Sequence, residues 1–274
     1  NYWAEACPSC SDEEQDLVAN PRPGYTPDSD HPWIGRYGDD ESMENARKVR
    51  WAMSMAIDRE KILANVLGGF GQIAYTAMHT QFPPGDKYFQ DEWIVPFDPE
   101  LARQYLAEAG YSDGFDVVFW ATASVPEVWD PEIADAVGEM WQEHLNLNVT
   151  VDHSPYASRR PETVTKHMNV PWLHGWGRPP GGSKAAFFCP TPGHLGGVEM
   201  PKEICDVGYR NDTEPDLTTR ILNNVEFQNY MQHWHLNPAI VTMSGYWVQQ
   251  PWVKQWHPYF GSYFNNPSSV IIER

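Results

Sequence analysis

At 274 residues with 41% hydrophobic content, the chain is long enough for one large domain or two small ones. Its 37 acidic residues against 19 basic ones leave a net charge of −18, which excludes duplex nucleic acid and anionic membrane surfaces as natural partners, since phosphate binding needs positive surface. No apolar run reaches the length of a membrane-spanning helix.

Residues 1–44 are rich in Pro, Asp, Glu and Gly with little periodicity. They read as a connecting segment with one short strand near Trp33-Ile34. Val49, Ala52, Met53, Ala56 and Ile57 then recur at i, i+3, i+4, i+7 and i+8, the apolar stripe of a helix within 45–66. Arg47, Lys48, Arg50 and Arg59 lie mainly off that stripe. Asp58 is placed to cap a second short helix carrying Ile62, Leu63 and Val66, which Gly68-Gly69 stops. Residues 72–97 read as an irregular excursion, with Phe82-Pro83-Pro84-Gly85 as a turn.

Asp98-Pro99-Glu100 is a complete helix opening: an N-cap, a Pro at the first helical position and a negative first turn. That helix spans about 99–109, buries Leu101, Tyr105 and Leu106, and stops at Gly110. Phe115–Ala121 is a β-rich run. Asp130-Pro131-Glu132 opens a further helix with Ile133, Val137, Met140 and Trp141 on one face. Leu147–Val151 alternates as a strand, Tyr156–Met168 is helical with an interruption at Pro161, and Val170–Trp176 is another strand. Strand–helix–strand–helix–strand is the pattern of a parallel α/β unit. Residues 177–213 read as mostly loop, Pro215 to about Trp234 as helix, and the Trp- and Tyr-rich tail from Ile240 as β.

Four cysteines divide into two pairs. Cys7-Pro8-Ser9-Cys10 suits a tight disulfide, half a zinc site or a redox pair, and the neighbouring Asp12, Glu13 and Glu14 disfavour the last by raising a thiol pKa. Cys189 and Cys205 bracket a Pro/Gly-rich loop. The chain carries no Gly-x-Ser-x-Gly, His-Glu-x-x-His, phosphate loop or dinucleotide fingerprint. No catalytic residue and no cofactor is therefore singled out. Three rival readings remain: a glycoside-processing enzyme with a Trp-lined acidic cleft, a nickel or metal-complex carrier using the close-set His233-Trp234-His235, and a structural extracellular protein that binds nothing.

The wording of two stretches carries a family resemblance. Lys48-Val49-Arg50 followed by Ala56-Ile57-Asp58-Arg59-Glu60, and Phe97-Asp98-Pro99-Glu100 followed by Ala109-Gly110-Tyr111-Ser112-Asp113-Gly114-Phe115, together resemble the solute-binding proteins of the peptide/nickel class, family 5, that feed ABC importers. The resemblance covers about residues 33–260. Trp141–Val149 is similar to that family's helix-to-strand step, and His174-Gly175-Trp176-Gly177 to its Gly-Trp turn. Phe187-Phe188-Cys189, Cys205 and Asn211–Leu217 resemble its cysteine loop, and Tyr246-Trp247 with Gln250–Trp256 its closing segment.

The resemblance implies an α/β fold: a periplasmic-binding-protein-like lobe with a mostly parallel sheet flanked by helices, and short segments of the other lobe at both ends. The lobe is expected over 45–238, with 1–44 a remnant of the first lobe and 239–274 a return segment toward it. The chain looks like the C-terminal portion, and the missing N-terminal lobe is an expected partner. The implied function is extracytoplasmic solute binding, not catalysis, with delivery to an ABC importer permease. A periplasmic or extracellular location follows, membrane-anchored through an absent N-terminal lipid as in a lipoprotein. A Cys189–Cys205 disulfide is implied as well; Cys7–Cys10 lies outside the resemblance and is a second pairing expected from its C-x-x-C spacing alone.

Two departures bear on the ligand. Gly177-Arg178-Pro179-Pro180 lacks the carboxylate that peptide-binding members place after the Gly-Trp turn. The loop Thr122–Trp129 carries Glu127 where some of them carry Arg. A clamp for zwitterionic peptide ends needs both charges. The expected ligand is thus an uncharged, polyhydroxylated or anionic solute, such as an oligosaccharide, rather than a free short peptide. Its wall is expected from Glu127, Trp129, Tyr156, Trp176, Arg178 and Trp247. Trp247, Trp252 and Trp256 are expected on the surface that meets the other lobe.

Overall fold

Asp39 sets the start of the first helix. Its carboxylate accepts from the Ser42 amide at 3.0 Å, and α1 runs Asp40–Met55. The computed structural model describes residues 31–35, 39–76, 84–123, 128–164, 169–175, 202–243, 250–255 and 271–272. Helix α1 begins at residue 40 rather than 45, because the cap precedes an acidic first turn and not the apolar stripe. The stripe itself is as the spacing requires: Val49, Ala52, Met53, Ala56 and Ile57 are all buried.

Asp58 caps α2 (Arg59–Lys61), accepting from the Lys61 amide at 3.0 Å. The helix widens into a π turn over Ile62–Val66 before Gly68 and Gly69, both at positive φ, end it. Strand β1 (Gln72–Ile73) follows, and a 3-10 turn at Asp91–Trp93 sits inside the irregular excursion. Asp98 caps α3 (Pro99–Glu108), accepting from Leu101 N at 3.0 Å. Its buried face is Ala102 and Leu106; Leu101 and Tyr105 lie at the margin.

Three parallel strands form the sheet. They are β2 (Asp116–Ala121), β3 (Asn148–Asp152) and β4 (Trp172–Leu173), in the order β3-β2-β4. Asp116 pairs with Asn148 and Trp120 with Asp152 on one side, and Trp120 pairs with Trp172 on the other. Helix α4 (Asp130–Leu145) connects β2 to β3, and α5 (Tyr156–Val164), with Pro161 inside it, connects β3 to β4. A left-handed Asn146 ends α4. Asn commonly takes that conformation.

Alternation along β2 divides the lobe into two cores. Val117, Phe119 and Ala121 join the larger one with α1, α3 and α4. There the Phe119 and Trp141 rings lie 4.9 Å apart, and Trp141 Nε1 donates to Met53 O at 2.7 Å. Gly138 lets α4 sit close to β3: a Cβ added there would meet Val151 Cγ2 at 2.9 Å. Trp120 points to the opposite face and forms a smaller core with Trp172, Tyr156 and Val170.

Several sequence expectations need correction. Trp33-Ile34 is a turn rather than a strand, closed by Ile34 N donating to His31 O at 2.9 Å, and both side chains are buried in the main core. The region read as loop contains α6 (Lys202–Thr213), which packs on α7 (Leu217–His233). The buried stripe of α6 includes Gly208 and Asn211, which a hydrophobic template does not count. Arg50 and Arg59 lie off the apolar stripe yet are buried, 1% and 4% exposed.

The tail supplies three short strands. Strand β5 (Val241–Thr242) pairs antiparallel with β1, and β6 (Val253–Gln255) pairs antiparallel with β7 (Ile271–Ile272). Among the described residues, no helix is long and apolar enough to cross a membrane.

Candidate ligand wall at the carboxyl end of the sheet

In open α/β sheets ligands bind beyond the carboxyl ends of the strands, where the connecting loops diverge. That end carries Thr122 after β2, Ser154 after β3 and His174 after β4. Pairing Trp120 with Trp172 puts two indoles side by side on one face. They stack at 4.7 Å with 22° between planes, and His174 continues the column, 4.6 Å from Trp172 at 15°. Trp172 in β4 and His174 just past its end are two residues apart, the spacing that returns an extended chain to the same face. Tyr156, the first residue of α5, closes the group at 6.2 Å from both Trp120 and Trp172.

The polar atoms around the column are unequally satisfied. Trp120 Nε1 donates to Ser154 O at 2.9 Å. Trp172 Nε1 and Ser154 Oγ are buried without a hydrogen-bond partner. Most buried polar atoms are paired, so an unpaired indole N–H is an uncommon feature at this end of a sheet. Burial pushes the His174 pKa down to about 4, so its ring is neutral at physiological pH.

Arg159 brings a charge to the rim and commits it locally. Its Nε donates to Asp152 Oδ2 at 2.8 Å, its Nη1 to Glu162 Oε2 at 2.9 Å, and its guanidinium lies 5.9 Å from the Trp120 ring. Partial burial works to raise the Asp152 pKa, but the Ser154 amide and Arg159 outweigh it and hold the carboxyl below its usual range. Arg160 Nη1 donates to Tyr156 Oη at 2.9 Å.

Of the wall expected from sequence, Tyr156 is in the aromatic group and half-buried. Trp129 is 42% exposed at the start of α4, which packs on the opposite face of the sheet from Tyr156. Glu127, Trp176, Arg178 and Trp247 lie outside the described residues, as do Cys7, Cys10 and Cys189; Cys205 belongs to α6, but its side chain is not described. Trp252 is 53% exposed, and Trp256 is not among the described residues.

Trp120, Trp172 and His174 were not legible as site residues. The available signal was strand parity: Trp172 and His174 share a face, and Trp120 points away from the Phe119 core. The two close-set histidines differ in setting: His233 ends α7 and is exposed, whereas His235 is 1% exposed. Among the described residues no group of three His, Cys, Asp or Glu side chains is placed to hold a metal ion.

A three-stranded parallel sheet with helices on both faces and an aromatic group at its carboxyl end defines one lobe of a periplasmic-binding-protein-like fold. Residues 34–191 match the family described as bacterial extracellular solute-binding proteins, family 5, middle region, and the chain belongs to that family. It is 42% identical over 74 residues to heme-binding protein A of Haemophilus influenzae, covering 27% of this chain and 13% of the relative. It is 28% identical over 170 residues to di/tripeptide-binding protein 1 of Pseudomonas aeruginosa, covering 59% of this chain and 30% of the relative.

Among solved structures, HbpA2 from Haemophilus parasuis superposes with a TM-score of 0.61 at 19% identity, over 73% of this chain and 40% of that one. A dipeptide-binding protein from Pseudoalteromonas in complex with Met-Leu gives 0.57 at 22%, over 72% and 39%. These likenesses establish the fold. The chain spans less than half the length of the relatives it matches.

Proposed function

We propose that this protein binds a solute outside the cytoplasm and delivers it to an ABC importer permease, with the lobe described here forming one wall of the ligand cleft and no catalysis taking place. The observation that carries this reading is the buried, unpartnered Trp172 indole N–H at the carboxyl end of a family 5 lobe, beside Trp120 and Tyr156. A second lobe closes the cleft in such proteins, because a ligand held between lobes is released by hinge opening.

The chemistry of the wall favours an uncharged ring-bearing solute such as an oligosaccharide. Flat indole and phenol faces suit a sugar ring or other planar group. His174 is neutral, and Arg159 is engaged by Asp152 and Glu162. Trp129, Glu127, Trp176, Arg178 and Trp247 complete the proposed wall, and the missing carboxylate after the Gly-Trp turn disfavours zwitterionic dipeptides. A peptide-like solute is the alternative, favoured by the similarity to di/tripeptide-binding protein 1. A Cys189–Cys205 disulfide and a lipid anchor belong to the same reading, since both suit an exported protein.

Calorimetric titration of the full-length protein with oligosaccharides, dipeptides, heme and nickel tests the reading. A saturable heat with one class, lost in Tyr156→Ala, supports it. Release of reducing sugar from an oligosaccharide would identify an enzyme instead, and tight nickel binding with no organic ligand would identify the metal carrier.

A further inference from the structure

His235 occupies a position that two physical rules disfavour. It follows the end of α7 with φ 52°, a left-handed conformation usually taken by Gly or Asn. Its amide donates to Gln232 O at 3.1 Å and that of Leu236 to Met231 O at 2.9 Å, the doubled bond pattern of a Schellman turn. Its ring is also buried, and neither Nδ1 nor Nε2 has a hydrogen-bond partner. Burying an imidazole with both nitrogens unpaired is costly.

What surrounds the ring holds the chain on both sides of it. Trp51 of α1 stacks on His235 at 4.2 Å, and its Nε1 donates to His233 O at 3.3 Å. Arg50 Nε donates to Trp234 O at 2.8 Å, and its Nη1 to Trp33 O at 2.9 Å. Arg59 Nε donates to Ala239 O at 3.0 Å while its Nη2 holds Ser54 Oγ at 2.8 Å. Three side chains from α1 and α2 thus clasp the carbonyls of 233, 234 and 239, and His235 fills the centre. Beyond the clasp, Thr76 bridges Pro238 and Ala74 N donates to Ile240 O at 3.1 Å, leading into the β1–β5 ribbon.

The charges facing this ring are cationic. Arg47 and Arg50 come from α1 and Arg59 from α2. Glu44 pairs with Arg47 at 2.6 Å and lies toward His233; Tyr230 and Tyr75 face Arg50 and Arg59. No carboxylate among the described residues partners His235. A proton on this ring would therefore add a third buried cation beside two buried arginines, with no acceptor for either N–H.

We propose that His235 is a pH-sensitive latch: neutral, it seats the turn between α7 and β5 in the arginine clasp; protonated, it leaves the pocket and frees the 234–240 segment and the β1–β5 ribbon from the lobe. Burial and the neighbouring Arg59 and Arg50 hold its pKa well below 6.5, in keeping with a ring that must be neutral to fit. The group that controls the exit of the chain from the lobe is thereby a titratable one.

Amide hydrogen exchange on the full chain between pH 7.5 and pH 5, read as protection relative to the free-peptide rate, tests this. Protection at Leu236 and Ala74 should lie below that at Trp120 and fall about tenfold per pH unit below about 6.5. His235→Asn, which tolerates the left-handed turn and does not titrate there, should flatten that dependence. An unchanged slope in His235→Asn, or equal protection at all three amides, overturns the latch. If that variant does not fold, the wild-type His235 ring resonances decide: no titration above pH 6 is expected, and a ring that titrates near 6.5 with the clasp intact overturns it.

Discussion

Arg50 ties two chain segments far apart in sequence: its guanidinium donates to Trp33 O and to Trp234 O, so the chain entering α1 and the chain leaving α7 are held by one buried side chain. Burial pushes its pKa down to about 9, which leaves it charged at neutral pH. A charged donor in this place is stabilising only because both carbonyls face it.

Arg50→Ala should cost about 3 kcal/mol or more, since it strands two buried carbonyls and opens a cavity. Arg50→Lys should recover only part, because an ammonium lacks the planar fork. Urea unfolding midpoints at pH 7.5 check both. Equal stability of the Ala variant and the wild type would mean that the carbonyls find other partners.

At the ligand wall, Trp172→Phe removes the unpaired indole N–H and keeps an aromatic face. Stability should change by less than about 1.5 kcal/mol, while solute affinity should fall by roughly 0.5–1.5 kcal/mol. Trp120→Ala, at a fully buried position, should instead destabilise by about 3–5 kcal/mol. Parallel titration calorimetry and thermal unfolding separate the two effects.

His174 contributes an acid limb to stability. Its folded pKa of about 4 lies below the usual 6.5, so the unfolded chain binds the proton more tightly. Stability from this group is present above pH 6.5 and is lost as pH falls toward 4, by roughly 3 kcal/mol in all. Asp152, whose pKa is lowered, adds a loss further down, as pH falls through its folded value. A His174→Phe variant should retain more of its melting temperature between pH 6.5 and pH 4.5 than the wild type does.

Gly138 sets the distance between α4 and β3. Gly138→Ala places a methyl 2.9 Å from Val151 Cγ2 and 3.3 Å from Val149 Cγ1, and overpacking of this kind costs about 1–3 kcal/mol. The gain in helix propensity, about 1 kcal/mol, offsets part of it. Gly138→Ala combined with Val151→Ala should be less destabilised than the sum of the two single changes, measured as a double-mutant cycle.

Local signals in the chain determined the helices that have caps and stripes. Asp58, Asp98 and the Asp130-Pro131 opening lie at helix starts, and the Val49–Ile57 stripe is buried, because capping and amphipathic burial act within a few residues. The strand–helix alternation and its parallel sheet follow from the same local patterns. Two stretches of family wording sufficed for the class, and it was the match over 34–191 that established it.

Tertiary contact decided the rest. Helix α6 buries Val207 together with Gly208 and Asn211, two residues that a hydrophobic pattern does not count, and it packs against α7. Arg50 and Arg59 lie off the apolar stripe, but carbonyls 184 and 180 positions further along the chain, at Trp234 for Arg50 and at Ala239 for Arg59, draw them inside. The Trp120–Trp172–His174 column exists only because β2 and β4 pair in one register, which places side chains from distant stretches on the same face. Register is a property of the assembled sheet, and no residue in either strand specifies it alone.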